Sequence, residues 1–429
     1  MPSSRTRGLR AVVAISLVLL IATPSDAYSV LTHEAMIDAL WDVKLKPVLL
    51  ARFPNATPEQ LKEAHAYAYG GAIIQDIGFY PHGNGYFSDL THYVRAGDFI
   101  VALIAQSQNL NEFAFALGSL SHYLGDNDGH RLATNVAEPI LYPKLQRKFG
   151  NVITYEDNPT VHLQTEYGFD VLEVAKGNFA PEAYHDFIGF NVARPVLDRA
   201  FRETYGFELR IVLPNFDRAI GSFRHAVSDT IPLATRVAWA QRQDEIRKAR
   251  PGITRKRFLY VMRRSSYERN WGKQYDRPSL WDRILAFLLK LIPPIGPLKA
   301  LRFKMPTPAV EQIFMHSFNV ATTGYRGQLA AAGNRTLRLQ NTNFDLGVPA
   351  RPGDYKLQDD TYAYWLDALA QDGFGSLTPP IKKELLRYFA NLKPPVHPKK
   401  HKDAWKRLMA ELDRLKSEAG IPRGREMPH

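Results

Sequence analysis

Two sets of potential metal donors at helical spacing mark this chain: His122-Tyr-Leu-Gly-Asp126-Asn-Asp-Gly-His130 and, further on, His162-x-x-x-Glu166. On a helix, residues four apart share a face, so each pair aims two donors at one point. Imidazole nitrogen and carboxylate oxygen are the donors zinc accepts where a site must stay open to water and substrate. The chain has no cysteine, so a zinc site here has to be built from His, Asp and Glu.

Further donors precede these runs. His33 sits in Tyr28-Ser-Val-Leu-Thr-His33, Asp76 in Ile-Gln-Asp-Ile-Gly-Phe-Tyr-Pro, and His92 in Ser-Asp-Leu-Thr-His-Tyr. A single histidine near an apolar face is more often a hydrogen-bonded core residue than a ligand, and His33 beside Glu34 reads equally well as a helix start. An ordered series, two of its pairs at four-residue spacing, is not explained that way. His65 and His185 read as structural, and His397 and His401 as part of a solvated basic tail.

The elements that must position these groups are helical. Apolar residues recur at spacings of three and four over 34–50, 58–69, 99–110, 110–124, 180–205 and 217–241. Gly, Pro and Asn gather between them, as in Tyr80-Pro-His-Gly-Asn-Gly-Tyr86. No stretch shows sustained strand alternation, and no repeat recurs at a fixed period, so the fold class is all-α. Beyond Pro306, residues 314–329, 357–371, 379–392 and 404–419 also read as helices, with the polar loop 341–347 among them. Residues 393–401, rich in proline and lysine, read as a linker.

Composition fits an ordinary globular protein, with 45% hydrophobic and 23% charged residues, enough to bury a sizeable core. The formal charge is +12 and is unevenly spread. Residues 236–304 hold eighteen Lys and Arg against five acids, a surplus of +13 that accounts for all of it. Within that block, 280–297 is leucine-rich and aromatic and closes with prolines. Such a segment suits a membrane interface carrying anionic lipid; a packing helix on an insertion with solvated charges fits equally.

At the N-terminus, Arg5, Arg7 and Arg10 precede an apolar run from 11 to 22, and Ser25-Asp26-Ala27 offers a small-x-small cleavage site. The run is too short to span a bilayer, which needs about 20 apolar residues, so export with cleavage is expected rather than an uncleaved anchor. The mature chain would begin at Tyr28, in the periplasm or outside the cell, possessing no cysteine for a disulfide or a lipid anchor. The expected organisation is a signal peptide over 1–27, a helical domain over 28–235, a basic amphipathic insertion over 236–305 and a helical extension with a basic tail over 306–429.

The order and spacing of the donors resemble the zinc-dependent phospholipase C family, whose fold is shared with three-zinc single-strand nucleases. The resemblance covers about residues 28–236. It implies three zinc ions. One would be held by the free amine and carbonyl of Tyr28 with His33 and Asp126; a second by Asp76, His92, His122 and Asp126; a third by His130, His162 and Glu166. Asp126 would bridge two ions. Tyr28 replaces the family's usual Trp, which backbone ligation tolerates. The Asp126–His130 gap is shorter than the family's, which leaves Asp128 as an alternative to His130. The His92–His122 gap is also short, implying a trimmed loop at the cleft.

Clustered zinc ions suit phosphate ester hydrolysis, because they acidify water and stabilise charge on the attacking and leaving oxygens. The resemblance adds Asp76 as general base as well as ligand. No nucleophile triad or phosphate-cradling glycine loop competes with this reading. The expected partner is phospholipid at a membrane surface, given the basic amphipathic block. Single-stranded nucleic acid is the alternative, with Tyr80, Tyr86 and Phe87 as candidate base-stacking rings, and a metal-binding protein without activity is a third reading. Nothing points to a protein partner.

Overall fold

The computed structural model describes residues 29–176, 190–225, 239, 243–248, 251–255, 303–391 and 402–418. The expected signal peptide, Tyr28, His185, His397, His401, most of the basic block and the 393–401 linker lie outside these residues.

The described chain is helical, as its apolar spacing requires. Its helices are α1 (Val30–Leu40), α2 (Lys46–Arg52), α3 (Pro58–Ile73), α4 (Gly85–Tyr93), α5 (Ala96–Gln106), α6 (Leu110–Gly129), α7 (Asn135–Leu141), α8 (Pro143–Phe149) and α9 (Pro159–Lys176). They continue as α10 (Arg194–Tyr205), α11 (Leu209–Val212), α12 (Phe216–His225), α13 (Pro308–Gly333), α14 (Lys356–Gln371), α15 (Pro379–Tyr388) and α16 (Lys402–Ser417). A short antiparallel hairpin, β1 (Thr342–Asn343) and β2 (Val348–Pro349), occupies the polar loop.

Several helix boundaries differ from the apolar pattern, each for a local reason. The expected helix over 34–50 is interrupted by a π-helical turn, Trp41–Leu45. That over 99–110 ends at Gln106, because Asn109 caps the next helix by accepting the Glu112 amide at 3.0 Å. Residues 110–124 continue as helix to Gly129 and then loosen into a second π turn, His130–Thr134. Of the helix expected over 180–205, residues 180–189 lie outside the described ones, 190–193 are not helical, and α10 begins at Arg194 with Pro195 in its first turn. The helix at 314–329 is longer, spanning 308–333 with Thr307 as its cap.

One buried core runs from Val30 in α1 to Leu415 in α16. α6 is the central helix and is buried along nearly its whole length. On one side it packs against α3 and on another against α13, where the Tyr325 hydroxyl donates to the Leu117 carbonyl at 2.9 Å. Residues after 306 are thus part of the core that carries the candidate donors.

The α3–α6 crossing depends on two facing glycines. A Cβ on Gly71 would meet the Phe115 carbonyl oxygen at 1.9 Å, and one on Gly118 would meet that of Ala68 at 2.0 Å. Backbone touches backbone here, and the approach brings the C-terminal end of α3 within hydrogen-bond reach of His122. Gly118→Ala is therefore expected to cost about 2–3 kcal/mol of stability, as overpacking of a tight contact does. Gly327→Ala, in α13 facing open space, should instead stabilise by roughly 0.5–1 kcal/mol. Chemical denaturation of the two variants tests the pair, and equal effects would refute the close-contact account.

Candidate metal centre

Asp76 lies on the 3-10 turn Ile74–Phe79 that follows α3. Ser88 ties this turn to α4: its hydroxyl accepts the Gly78 amide at 3.0 Å and donates to the Gln75 carbonyl at 2.5 Å. His92, one turn later on α4, thereby comes to face Asp76, with Nε2 3.2 Å from Oδ1. His122 and Asp126 reach the same point from α6. His122 Nε2 is 3.0 Å from Asp126 Oδ2 and 3.4 Å from His92 Nε2, while His92 Nε2 is 3.3 Å from Asp126 Oδ2. The other Asp126 oxygen, Oδ1, turns to His33 Nε2 at 3.3 Å. The imidazoles of His33 and His122 stack with centroids 4.3 Å apart.

A second cluster is formed by His130, His162 and Glu166, their donor atoms within 4.8 Å of one another. Glu166 Oε1 is 2.8 Å from His162 Nε2 and 3.8 Å from His130 Nε2. Each four-residue step along α6 turns the side chain by about 40° and advances about 6 Å. His122, Asp126 and His130 thus form a winding stripe, whose two ends serve different clusters. Asp128 takes no part; it pairs with Arg131 at 2.9 Å. Tyr28, the remaining candidate, precedes the first described residue.

The orientation of each ring is set by its other nitrogen. Nδ1 of His92 donates to the Ser88 carbonyl at 2.7 Å, and that of His122 to the Ala72 carbonyl at 2.8 Å. Nδ1 of His162 donates to Glu138 Oε1 at 2.7 Å, and that of His130 lies 2.8 Å from Asp345 Oδ1. All four Nε2 atoms therefore face inward. For His92, His122 and His162 this is how a protein prepares imidazoles for a metal, since the outward hydrogen bond fixes both tautomer and ring plane; Nδ1 of His130 has instead a close carboxylate neighbour without a well-angled hydrogen bond.

The donors fit zinc on two counts. Both oxygens of Asp76 and of Asp126, Nε2 of His130 and His162, and Oε1 of Glu166 are buried and make no well-angled hydrogen bond, although nitrogens and oxygens face one another closely. Groups aimed at a shared point, rather than at each other, have this geometry. Two ligands of a tetrahedral zinc lie about 3.3 Å apart, given metal–ligand distances of about 2.0–2.2 Å, and the first cluster's separations of 3.0–3.4 Å are of that size. The eight described candidates are each at most 4% exposed. Among the described residues, the cations within ion-pair distance of Asp76, Asp126 and Glu166 are all histidines.

The electrostatics record this crowding. Burial works against a charged His92, but the close contacts and negative charge of Asp126 and Asp76 outweigh it and lift the imidazole to about 10. Burial is likewise overcome at His162, which Glu166 and Glu138 raise to about 9. Burial opposes an ionised Asp126 as well, yet His122, His33 and His92 hold its carboxyl well below the usual range. His33 moves the other way, lowered first by burial and then by the charge on His122. Glu138 is pushed up to about 7 by burial, with His162 opposing.

Sequence spacing passed over Glu138 and Asp345, since neither forms a four-residue pair with a candidate ligand. Among the other histidines, His65 pairs with Asp38 at 3.1 Å and stacks on Trp41, a structural role. The rings named as base-stacking candidates are engaged in packing: Tyr80 stacks on Phe223, Phe87 on Phe201, and Tyr86 meets Tyr364 edge-on. The rings next to the cluster histidines include Phe79, Tyr93, Tyr155 and Phe344.

These shifts set a pH dependence. His92 and His162 keep their protons in the metal-free fold up to about 10 and 9, against 6.5 unperturbed. The native state therefore binds more protons than the unfolded chain across that window, and metal-free stability falls as pH rises through it. An ion displaces those protons, so its stabilisation grows over the same range. Thermal melts of chelator-treated and zinc-loaded protein at pH 6.5 and pH 9 should show a Tm gap that widens with pH; a constant gap would contradict this account.

Residues 32–213 match the family model described as zinc dependent phospholipase C. The match contains every described candidate from His33 to Glu166 and excludes Asp345 and the helices α13 to α16. No curated protein and no solved structure matches the chain. Residues 32–213 are therefore a segment of the zinc-dependent phospholipase C family.

Proposed function

We propose that the protein is an exported phospholipase C that hydrolyses the phosphodiester of a phospholipid, using three zinc ions. The observation that carries this reading is Asp126, whose two oxygens face different imidazole groups, His33 on one side and His92 with His122 on the other. One buried carboxylate placed in this way serves two adjacent ions. On this reading Asp76, His92, His122 and Asp126 hold one ion. His130, His162 and Glu166 hold a second. His33 and Asp126, with the amine and carbonyl of Tyr28 after signal peptide cleavage, hold the third.

Zinc bound there would polarise a phosphoryl oxygen and acidify water at neutral pH. Asp76 takes the proton from the attacking water, its carboxylate being buried and not tied up in a well-angled hydrogen bond. A bond forms between the water oxygen and phosphorus as the ester bond to the diacylglycerol oxygen breaks. The proton passes to that leaving oxygen. Phe79 and Tyr155, which contact His92 and His162, supply apolar surface beside the reacting phosphate.

Support for lipid over nucleic acid comes from the family match and from the packed state of Tyr80, Tyr86 and Phe87, which are engaged with other rings. The basic block at 236–304 would add attraction to anionic lipid. None of the described helices is long and apolar enough to cross a membrane, consistent with attachment at the surface.

The test is product release from phosphatidylcholine vesicles by zinc-loaded protein beginning at Tyr28. Diacylglycerol and phosphocholine should appear, stop with chelator and return with zinc. Asp76→Asn should lower kcat/KM by about 10²- to 10⁴-fold, the range of a general base. Protein retaining residues ahead of Tyr28 should bind one ion fewer. Cleavage of single-stranded oligonucleotides in place of lipid would transfer the reading to the nuclease branch, and turnover of neither substrate would refute it.

A further inference from the structure

Three of the four imidazoles whose Nδ1 contacts are described are oriented from within the family-matching segment. Ser88 serves His92, Ala72 serves His122 and Glu138 serves His162. The fourth is different. We propose that Asp345, on the hairpin formed by β1 and β2, is the positioning residue that fixes His130, so that the C-terminal part of the chain completes the second metal cluster. This rests on reading His130, His162 and Glu166 as a metal site.

The carboxylate of Asp345 is itself rigidly held. The hydroxyls of Tyr93, at 2.8 Å, and Tyr355 both donate to Oδ2. That leaves Oδ1 for Nδ1 of His130, 2.8 Å away, and turns Nε2 of the same ring toward Glu166. Asp345 is 2% exposed, so water does not compete for the contact. Its position is the outward side of the ring, which separates it from the ligand role and matches the side on which Glu138 meets His162; the Asp345 contact is a close ion pair where that of Glu138 is a well-angled hydrogen bond.

The hairpin is seated on the two helices that carry the first cluster. The Phe344 amide donates to the His92 carbonyl at 3.2 Å, and the Phe344 ring lies against both His92 and His122. Asn135, just after the π turn that carries His130, donates through Nδ2 to the Asp345 carbonyl at 2.7 Å. Gly347, at φ +64°, passes so close to α6 that a Cβ would lie 2.4 Å from the Asn127 carbonyl oxygen. The Asn343 side chain accepts the Leu346 amide at 3.0 Å and closes the turn. A loop that merely covered the surface would not require contacts with α4, α6 and the π turn together.

The experiment is a zinc titration of the full mature chain against a chromophoric chelator, paired with the visible spectrum of the cobalt(II)-substituted protein. His130→Ala should remove one ion. Asp345→Asn should weaken one ion by about 10- to 100-fold, the usual effect of removing an outer partner. It should also alter the cobalt spectrum of that ion and leave the others tight. Tyr355→Phe keeps the carboxylate but loosens its hold, so it should give a smaller loss at the same ion, and it stands in for Asp345→Asn if that variant does not fold. A cobalt spectrum and affinity unchanged in both variants, with His130→Ala losing its ion, would overturn the role of Asp345 alone. An unchanged metal content in His130→Ala would overturn the metal reading and this inference with it.

Discussion

The structure depends on one constraint: buried imidazoles and carboxylates must converge without bonding one another. Each of His92, His122, His130 and His162 presents Nε2 inward because Nδ1 has a partner outward. Remove those partners and the rings are free to turn and pair with the nearest carboxylate. The convergence is costly, since carboxylates this deeply buried need compensating positive charge. In the absence of metal the imidazoles supply it by staying protonated, as the raised values for His92 and His162 record.

Seen this way, features of the fold that look incidental acquire a function. The Gly71 and Gly118 contact allows α3 to approach α6 closely enough for the Ala72 carbonyl to receive His122. Ser88 does two tasks: its hydroxyl anchors the turn carrying Asp76, and its carbonyl orients His92. The loosened turn at 130–134 ends the straight part of α6 where His130 must leave the first cluster and meet the second. A π turn at such a place is common in proteins, because the extra residue redirects a side chain without ending the helix.

Much of this was legible in the sequence, and the limits are physical. The all-α class followed from apolar spacing. The pairs His122/Asp126 and His162/Glu166 followed from the geometry of a helix turn, which is a local rule. The grouping of the donors, including His33 and Asp76, came from a family resemblance and not from spacing alone, since they lie on separate elements. Asp345 was beyond reach because Tyr93 and His130 are distant in sequence and Tyr355, though near, stands at no periodic spacing from it. The aromatic candidates Tyr80 and Phe87 failed for the converse reason: proximity in sequence to a turn does not show which face a ring presents. The helix expected over 99–110 overran because Asn109 acts as a cap, a signal of one residue against an otherwise continuous apolar pattern.

The start of α1 is held by the same logic. On α9, the spacing that sets His162 four residues from Glu166 places Asp170 four further on, and its carboxylate accepts the Leu31 amide at 3.2 Å and the Thr32 hydroxyl at 2.6 Å. Burial keeps the Asp170 carboxyl up near 7 despite those donors, so the contact is made at an electrostatic cost. What it achieves is placement. It pins the first turn of α1 beside the helix that carries the second cluster, and His33, one turn along, then reaches Asp126. Two segments, α6 with the π turn after it and α9, each bearing three donors or acceptors at intervals of four, thus fix both clusters and the first turn of α1.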